Sequence, residues 1–347
     1  MDTDVLTIMG TRPQFIKCLT LRKEYVNAGI NEILIDTGQH YEHNMSKVFF
    51  DQLDQPPPDY TLSNGGLSKL KMLSSMIKDL EILVAKIKPK CIVVLGDTVS
   101  TLAGSLVAKQ LSIKLVHVEA GLRSFDKTMP EEQNRIISDH LSDILFCPTN
   151  TAVKNLTDEG ISKNVYFSGD VMLDASKRFK KYFVRPKQLP PEVVRGNYDL
   201  ITIHRADALI SKKNLLKRIE YVLDLSNSFF KLLLIHPHTA KKVKEYDIDT
   251  SKFISLPPQG YLETQWLLQN CTHFFTDSGG MQKEAFFFKI PTTTMRDTTE
   301  WPETLGDGKN KLWNSISEKI KSQEENPFGD GNASEKIANY LKNHLRT

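Results

Sequence analysis

Residues 5–17 read VLTIMGTRPQFIK. The apolar run Val5–Met9 is short enough for a strand, Gly10-Thr11-Arg12-Pro13 breaks it, and a helix-like segment carrying Lys17 follows. That is the start of a strand–turn–helix unit. Similar runs recur at Glu32–Asp36, Cys91–Leu95, Lys114–Val118 and Ile144–Cys147, with longer amphipathic stretches between them. Buried parallel strands joined by helical crossovers have this pattern. The rhythm pauses from Phe179 to Asn197, where Pro186, Pro190, Pro191 and basic residues replace the apolar period, so a linker or hinge-side segment is expected there. It restarts at Asp199–His204, Lys231–His236, His273–Thr276 and Ile290–Met295. An α/β fold of two doubly wound domains is predicted.

The 347 residues, 40% of them hydrophobic, suffice for two α/β domains or one large one, each with its own core. The 45 Lys+Arg and 42 Asp+Glu leave a formal net charge of +3. Such a balance argues against a general nucleic-acid footprint or a polybasic membrane surface, while leaving room for a local cationic phosphate pocket. Cys18, Cys91, Cys147 and Cys271 form no CxxC pair and read as reduced thiols of a cytosolic enzyme, not a disulfide or zinc framework. Met1-Asp2-Thr3-Asp4 has no basic leader character, and no apolar run approaches the roughly 18 residues of a membrane span. A cytoplasmic location and no metal are expected. His40 with His43, or His236 with His238, lack a convincing third ligand nearby.

In open α/β sheets ligands bind beyond the carboxyl ends of the strands, so the residues just after each run carry the information. Neither a Walker A sequence nor GxGxxG occurs among them. Arg12 and Lys17 flank a helix start whose backbone N–H groups and dipole favour an anion; the alternative is a capping Arg12 and a solvated Lys17. Ser278-Gly279-Gly280, followed by Gln282 and Glu284, reads as a backbone nest for a diphosphate with a carboxylate for ribose hydroxyls, or else as a plain tight turn. Asp97, Glu119 and Glu131 follow strand ends or the loop after one and are expected to converge with Arg123 and Arg135. Crowded carboxylates of this kind can supply an acid and a base, although singly Asp97 and Glu131 are also well placed as helix caps. His204 and Arg205 offer donors for a departing phosphate.

Taken together, these motifs resemble the UDP-N-acetylglucosamine 2-epimerase family over nearly the whole chain. They are GTRPQ (10–14) with Lys17, TGQH (37–40), GDTVST (96–101), HVEAGLRS (117–124), PEEQNR (130–135), TIHRAD (202–207), TDSGGMQKEA (276–285), RDTTEWPE (296–303) and NPFGDG (326–331). The resemblance implies a GT-B-like architecture, two Rossmann-like domains facing a cleft that holds the nucleotide sugar. The domains are expected at 1–170 and 171–328, with a C-terminal helix in 329–347 crossing back to the first. It also implies that Asp97, Glu119 and Glu131 are acid/base carboxylates and that His204 stabilises departing UDP. Arg12, Lys17, Arg135, Ser278, Gly279, Gly280 and Glu284 are implied as substrate contacts, in a homodimer needing no cofactor.

Three motifs depart from the family pattern. HRxEN reads His204-Arg205-Ala206-Asp207-Ala208, ERPE reads Glu300-Trp301-Pro302-Glu303, and Gln14 stands where Glu is common. The chemistry implied is loss of the C2 proton with departure of UDP from C1, then readdition of UDP to the enclosed glycal and protonation on the opposite face of C2. The product from UDP-N-acetylglucosamine is UDP-N-acetylmannosamine. Related alternatives are epimerisation of a UDP-diacetamido-uronic acid, or hydrolysis to free N-acetylmannosamine and UDP. A GT-B glycosyltransferase, distinguished by its need for an acceptor, shares the fold.

Overall fold

The computed structural model describes residues 3–39, 56–305, 309–314 and 325–345. Two compact units emerge: Met1–Arg178 together with Asn326–Thr347, and Phe179–Glu325.

The first unit holds a seven-stranded sheet, ordered β3-β2-β1-β4-β5-β6-β7 and parallel throughout. Its strands are β1 Val5–Met9, β2 Glu32–Asp36, β3 Tyr60–Thr61, β4 Cys91–Leu95, β5 Lys114–Val118, β6 Ile144–Cys147 and β7 Val165–Phe167. All five residues of β1 and of β4 are buried, which is why both read as unbroken apolar runs: helices cover a parallel sheet on both sides. On one face Leu6, Ile8, Ile92, Val94 and Leu115 pack against Met76, Leu80 and Val84 of helix Lys69–Ile87 and Ala103 and Val107 of helix Val99–Gln110. Truncating a central member such as Ile92 to Ala should cost about 2–5 kcal/mol. The C-terminal helix Ala333–His344 belongs to this unit and packs on helix Arg12–Ala28.

The second unit contains six parallel strands ordered β10-β9-β8-β11-β12-β13. These are β8 Tyr198–Thr202, β9 Phe230–Leu234, β10 Ile254–Leu256, β11 His273–Thr276, β12 Thr292–Thr294 and β13 Asn310–Leu312. Adjacent residues serve opposite cores: Leu200, Leu232 and Phe274 face one, Ile201, Leu233 and Phe275 the other.

Three expected strands end differently, each for a local reason. β8 stops at Thr202 because the N–H groups of His204 and Arg205 turn to Asp277 Oδ2, at 2.7 and 2.9 Å. β9 stops at Leu234 because His236 and Pro237 start the helix Pro237–Glu245. β12 begins at Thr292 because Ile290 N–H caps the preceding helix through Ala285 O and Pro291 has no N–H to give.

The linker or hinge-side segment expected at 179–197 starts where the boundary between the units falls, after Arg178, but it packs as part of the second unit. Leu189 and Val193 are buried beside Tyr198 and Leu200, and Arg185 donates to the carbonyls of Leu189, Pro190 and Val193. Two apolar anchors and one guanidinium thus pack a segment whose composition reads as loop.

Strand order reverses between β1 and β4 in the first sheet and between β8 and β11 in the second. Crevices for ligands form at such reversals. The turns after these four strands carry Arg12, Asp97, His204 and Ser278–Gly280.

Candidate active site

In the first unit, Gln14 organises the turn after β1. Its Oε1 accepts from the N–H groups of Gly10 and Thr11 at 2.9 and 3.1 Å, while Nε2 donates to Leu95 O at 2.7 Å and Thr98 Oγ1 at 3.0 Å. The residue that departs from the family pattern therefore ties the β1 turn to the β4 turn. It also occupies the N-cap N–H of Thr11, one of the helix-start donors expected to await an anion. Arg12 is half-buried, and Lys17 is not the solvated side chain of the alternative reading: it is buried and ion-paired with Glu119.

Gly96 opens the β4 turn at φ +61°, in the left-handed region where a side chain is disfavoured. A Cβ there would lie 3.7 Å from Glu119 Oε2 and 3.9 Å from Lys17 Nζ, so this ion pair rests directly on the peptide that precedes Asp97. Asp97 receives both Nε and Nη2 of Arg135 on Oδ2, at 3.0 and 2.6 Å. It does not cap the next helix; Thr98 does, accepting from Thr101 N–H. Glu119 stands at φ +71°, a conformation that costs a non-glycine residue about 1 kcal/mol or more.

Helix Pro130–Leu141 brings the third carboxylate. Asn134 donates to Asp97 O at 2.8 Å and Arg135 holds the Asp97 side chain, and Glu131 lies three and four residues earlier on that same helix face. Glu132, its neighbour, is a structural group: its oxygens accept from Ser124 N, Phe125 N and Arg135 Nη1 at 2.9, 2.8 and 2.7 Å. Asp97, Glu119, Lys17 and Arg135 are thus assembled around two adjacent strand ends, and Glu131 stands in the first turn of the helix that carries Arg135. Arg123, expected among them, is not. It pairs with Asp139 at 2.7 Å and with Glu159 at 2.6 Å. A fully buried His117 completes that network between Asp139 and Gly96 O. Burial alone would raise the Asp139 carboxyl's pKa, but His117 and Arg123 outweigh it and hold it low.

In the second unit, Asp277 is the organiser. Beyond the two backbone N–H groups at the end of β8, it forms an ion pair with His204 Nδ1 at 2.9 Å. Burial would lower the His204 pKa, yet the Asp277 partner more than compensates, so it rises above its ordinary 6.5. The imidazole is therefore oriented and biased toward its cationic form. Asp207, which replaces Glu in the family pattern, pairs with Arg218 at 2.5 Å.

Ser278 caps helix Gly279–Phe287, accepting from Met281 N–H at 3.4 Å. The first-turn N–H groups of Gly279 and Gly280 have no partner inside the helix, and a Cβ on Gly280 would meet nothing within 4 Å. Glu284, one turn on, is buried and accepts from Gln265 Nε2 at 2.7 Å. Gly279 faces the buried Arg296–Glu300 ion pair, whose atoms meet at 2.8 Å. Trp301 occupies the position where the family pattern has Arg and lies under a buried Lys283, with Nζ 3.9 Å from the ring centroid.

Sequence reading missed His117, Asp139 and Asp277. His117 and Asp277 lie inside quoted motifs, but only the folded partners reveal what they hold. Among the described residues no group of three or more His, Cys, Asp or Glu side chains could hold a metal ion, and no helix is long and apolar enough to cross a membrane. His40 and His43 lie outside the described residues. All four cysteines are unpaired and buried.

The profile of the UDP-N-acetylglucosamine 2-epimerase family matches residues 23–342. A UDP-N-acetylglucosamine 2-epimerase homolog of Methanococcus maripaludis is 42% identical, covering 98% of this chain and 99% of its own. The UDP-2,3-diacetamido-2,3-dideoxy-D-glucuronate 2-epimerase of Pseudomonas aeruginosa is 39% identical over 97% of this chain and 99% of its own. Among solved structures, the UDP-GlcNAc 2-epimerase of Methanocaldococcus jannaschii, in complex with UDP-GlcNAc and UDP, superposes with a TM-score of 0.87. It is 36% identical and covers 99% of this chain and 100% of its own. With paired carboxylates at one sheet's reversal, an oriented histidine at the other's and relatives matched end to end, the chain belongs to the UDP-N-acetylglucosamine 2-epimerase family.

Proposed function

We propose that this enzyme interconverts UDP-N-acetylglucosamine and UDP-N-acetylmannosamine and releases the product with UDP still attached. The observation that carries the proposal is the pairing of Asp97 with Arg135 and of Glu119 with Lys17 on adjacent strand ends. Proton removal from C2 and its return from the other face need two positioned acid/base groups. In this reading Asp97, Glu119 and Glu131 perform the transfers. Arg12, Lys17 and Arg135 balance charge around the carboxylates and the sugar phosphate. His204, with Ser278, Gly279 and Gly280, stabilises UDP as it leaves, and Glu284 accepts from the ribose hydroxyls. Elimination suits an N-acetylhexosamine because its C2 hydrogen is not α to a carbonyl.

Incubation with UDP-N-acetylglucosamine alone in deuterated water tests this. Deuterium at C2 of recovered UDP-sugar is the expected result. Turnover without label at C2 would sink the elimination route, and a requirement for an acceptor would indicate a transferase. Free N-acetylmannosamine plus UDP as the main products would identify a hydrolysing enzyme that shares the first step.

A second substrate reading is supported by the 39% identical relative that acts on a UDP-diacetamido-glucuronate. The same C2 chemistry applies to that sugar. Competition between the two UDP-sugars, followed by kcat/KM for each, decides between them. The proposal also includes a cytoplasmic homodimer without a cofactor; light scattering that gives the monomer mass at every concentration would refute the dimer.

A further inference from the structure

His117 makes two hydrogen bonds, and neither partner has a proton to give. Its Nε2 lies 2.8 Å from Gly96 O and its Nδ1 2.7 Å from Asp139 Oδ1. A carbonyl only accepts, so Nε2 carries hydrogen. Asp139 is an acceptor as well: its other oxygen takes the N–H of Gly121 at 3.1 Å and Nη1 of Arg123 at 2.7 Å, and the carboxyl is held below its ordinary pKa, so it carries no proton to give.

We infer that His117 is a buried imidazolium acting as a positioning residue, whose Nε2–H grips the Gly96 carbonyl and thereby sets where Asp97 stands relative to Glu119. The Gly96 peptide is held from β5 on both sides, its N–H by Val118 O at 3.0 Å and its C=O by His117. Asp97 follows that peptide directly, and Glu119 follows Val118. Since Gly96 and Glu119 both have positive φ, intrinsic backbone preference fixes neither turn and the clamp supplies the constraint. The inference rests on reading Asp97 and Glu119 as the proton-transfer groups. It adds a residue that touches no substrate.

Two substitutions separate the bonds. His117→Gln puts an amide nitrogen near the place of Nε2 and keeps the bond to Gly96; His117→Asn puts one near Nδ1 and keeps the bond to Asp139. The expected result for His117→Asn is a kcat at least about tenfold lower, with KM for UDP-N-acetylglucosamine within about threefold. His117→Gln should retain kcat within about fivefold of wild type even where its melting temperature falls. Nitrogen NMR of ring-labelled wild-type protein at the pH of the assay should find hydrogen on both ring nitrogens. A glutamine variant as slow as the asparagine one, or an unprotonated ring nitrogen, would overturn the inference. If the asparagine variant does not fold, the glutamine variant decides alone: retained kcat supports the clamp, and loss comparable to Asp97→Asn overturns it. Undiminished turnover in Asp97→Asn would overturn the acid–base reading and the positioning role with it, whereas failure of the His117 variants alone leaves that reading intact.

Discussion

Asp97 is gripped through one oxygen only. Both Arg135 bonds end on Oδ2, and among the described residues Oδ1 takes no hydrogen bond, which leaves it available for a proton transfer. Amide replacement preserves shape and removes that capacity. Asp97→Asn, Glu119→Gln and Glu131→Gln should each lower kcat by about 10²–10⁴-fold, with UDP affinity in calorimetry nearly unchanged. Near-normal turnover in all three would refute the carboxylate mechanism. Asp277 acts on His204 in a different way, by charge. The folded-state pKa of His204 is raised, so the stabilising pair is fully present below pH 6.5 and is lost as pH rises through the higher folded value. Asp277→Asn can still accept the two backbone N–H groups but not hold the imidazolium. The alkaline limb of its kcat/KM profile should therefore move to lower pH, and an unmoved limb would show that His204 acts as a neutral donor.

At the scale of elements, Asp97, Glu119, His204 and Ser278 stand on turns that follow strands, while Lys17, Glu131, Arg135 and Glu284 project from the helices beside them. Helix Gly279–Phe287 starts against the buried Arg296–Glu300 pair, and any side chain at Gly279 would collide with it. Gly279→Ala should destabilise by about 1–3 kcal/mol, the usual cost of overpacking, and weaken UDP binding because the pair and the helix start must separate. Gly280→Ala meets open space, so its stability should stay near wild type. Thermal melts with a UDP titration measure both; equal effects at the two glycines would show that the ion pair does not support the turn. Capping reads differently from sequence and from structure. Asp97 sits one residue before the Thr98 cap, and an Asp beside a Thr leaves local sequence unable to say which of them caps.

For the whole molecule, the stability profile with pH should carry a mark of Glu32, which starts β2 far along the sheet from the candidate groups. Burial raises its carboxyl from 4.5 to about 7, against the lowering effects of the Thr7 hydrogen bond and Arg22. A raised folded pKa means that its contribution is present below pH 4.5 and is lost as pH climbs through about 7. The ionised carboxylate then costs on the order of 3 kcal/mol. Glu32→Gln keeps an acceptor for Thr7 Oγ1, at 2.5 Å in the wild type, and removes the charge. Its melting temperature should exceed that of wild type above pH 7 and converge with it near pH 4.5. Parallel curves would show that Glu32 is solvated when ionised.

Two sheets of buried parallel strands were legible from apolar runs such as Val5–Met9 and Cys91–Leu95, because a strand covered on both faces must be apolar at every position. The strand-end motifs were legible too, since a glycine turn or a cation beside a helix start has a local signature. Packing decided the rest. Whether Lys17 meets water or Glu119, whether Arg123 joins Asp97 or Asp139, and whether residues 179–197 form a linker or a wall of the core depend on partners distant in sequence. His117 states the reason most plainly: its charge is dictated by a carbonyl 21 residues before it and a carboxylate 22 residues after it, and only the tertiary structure brings those acceptors to one ring.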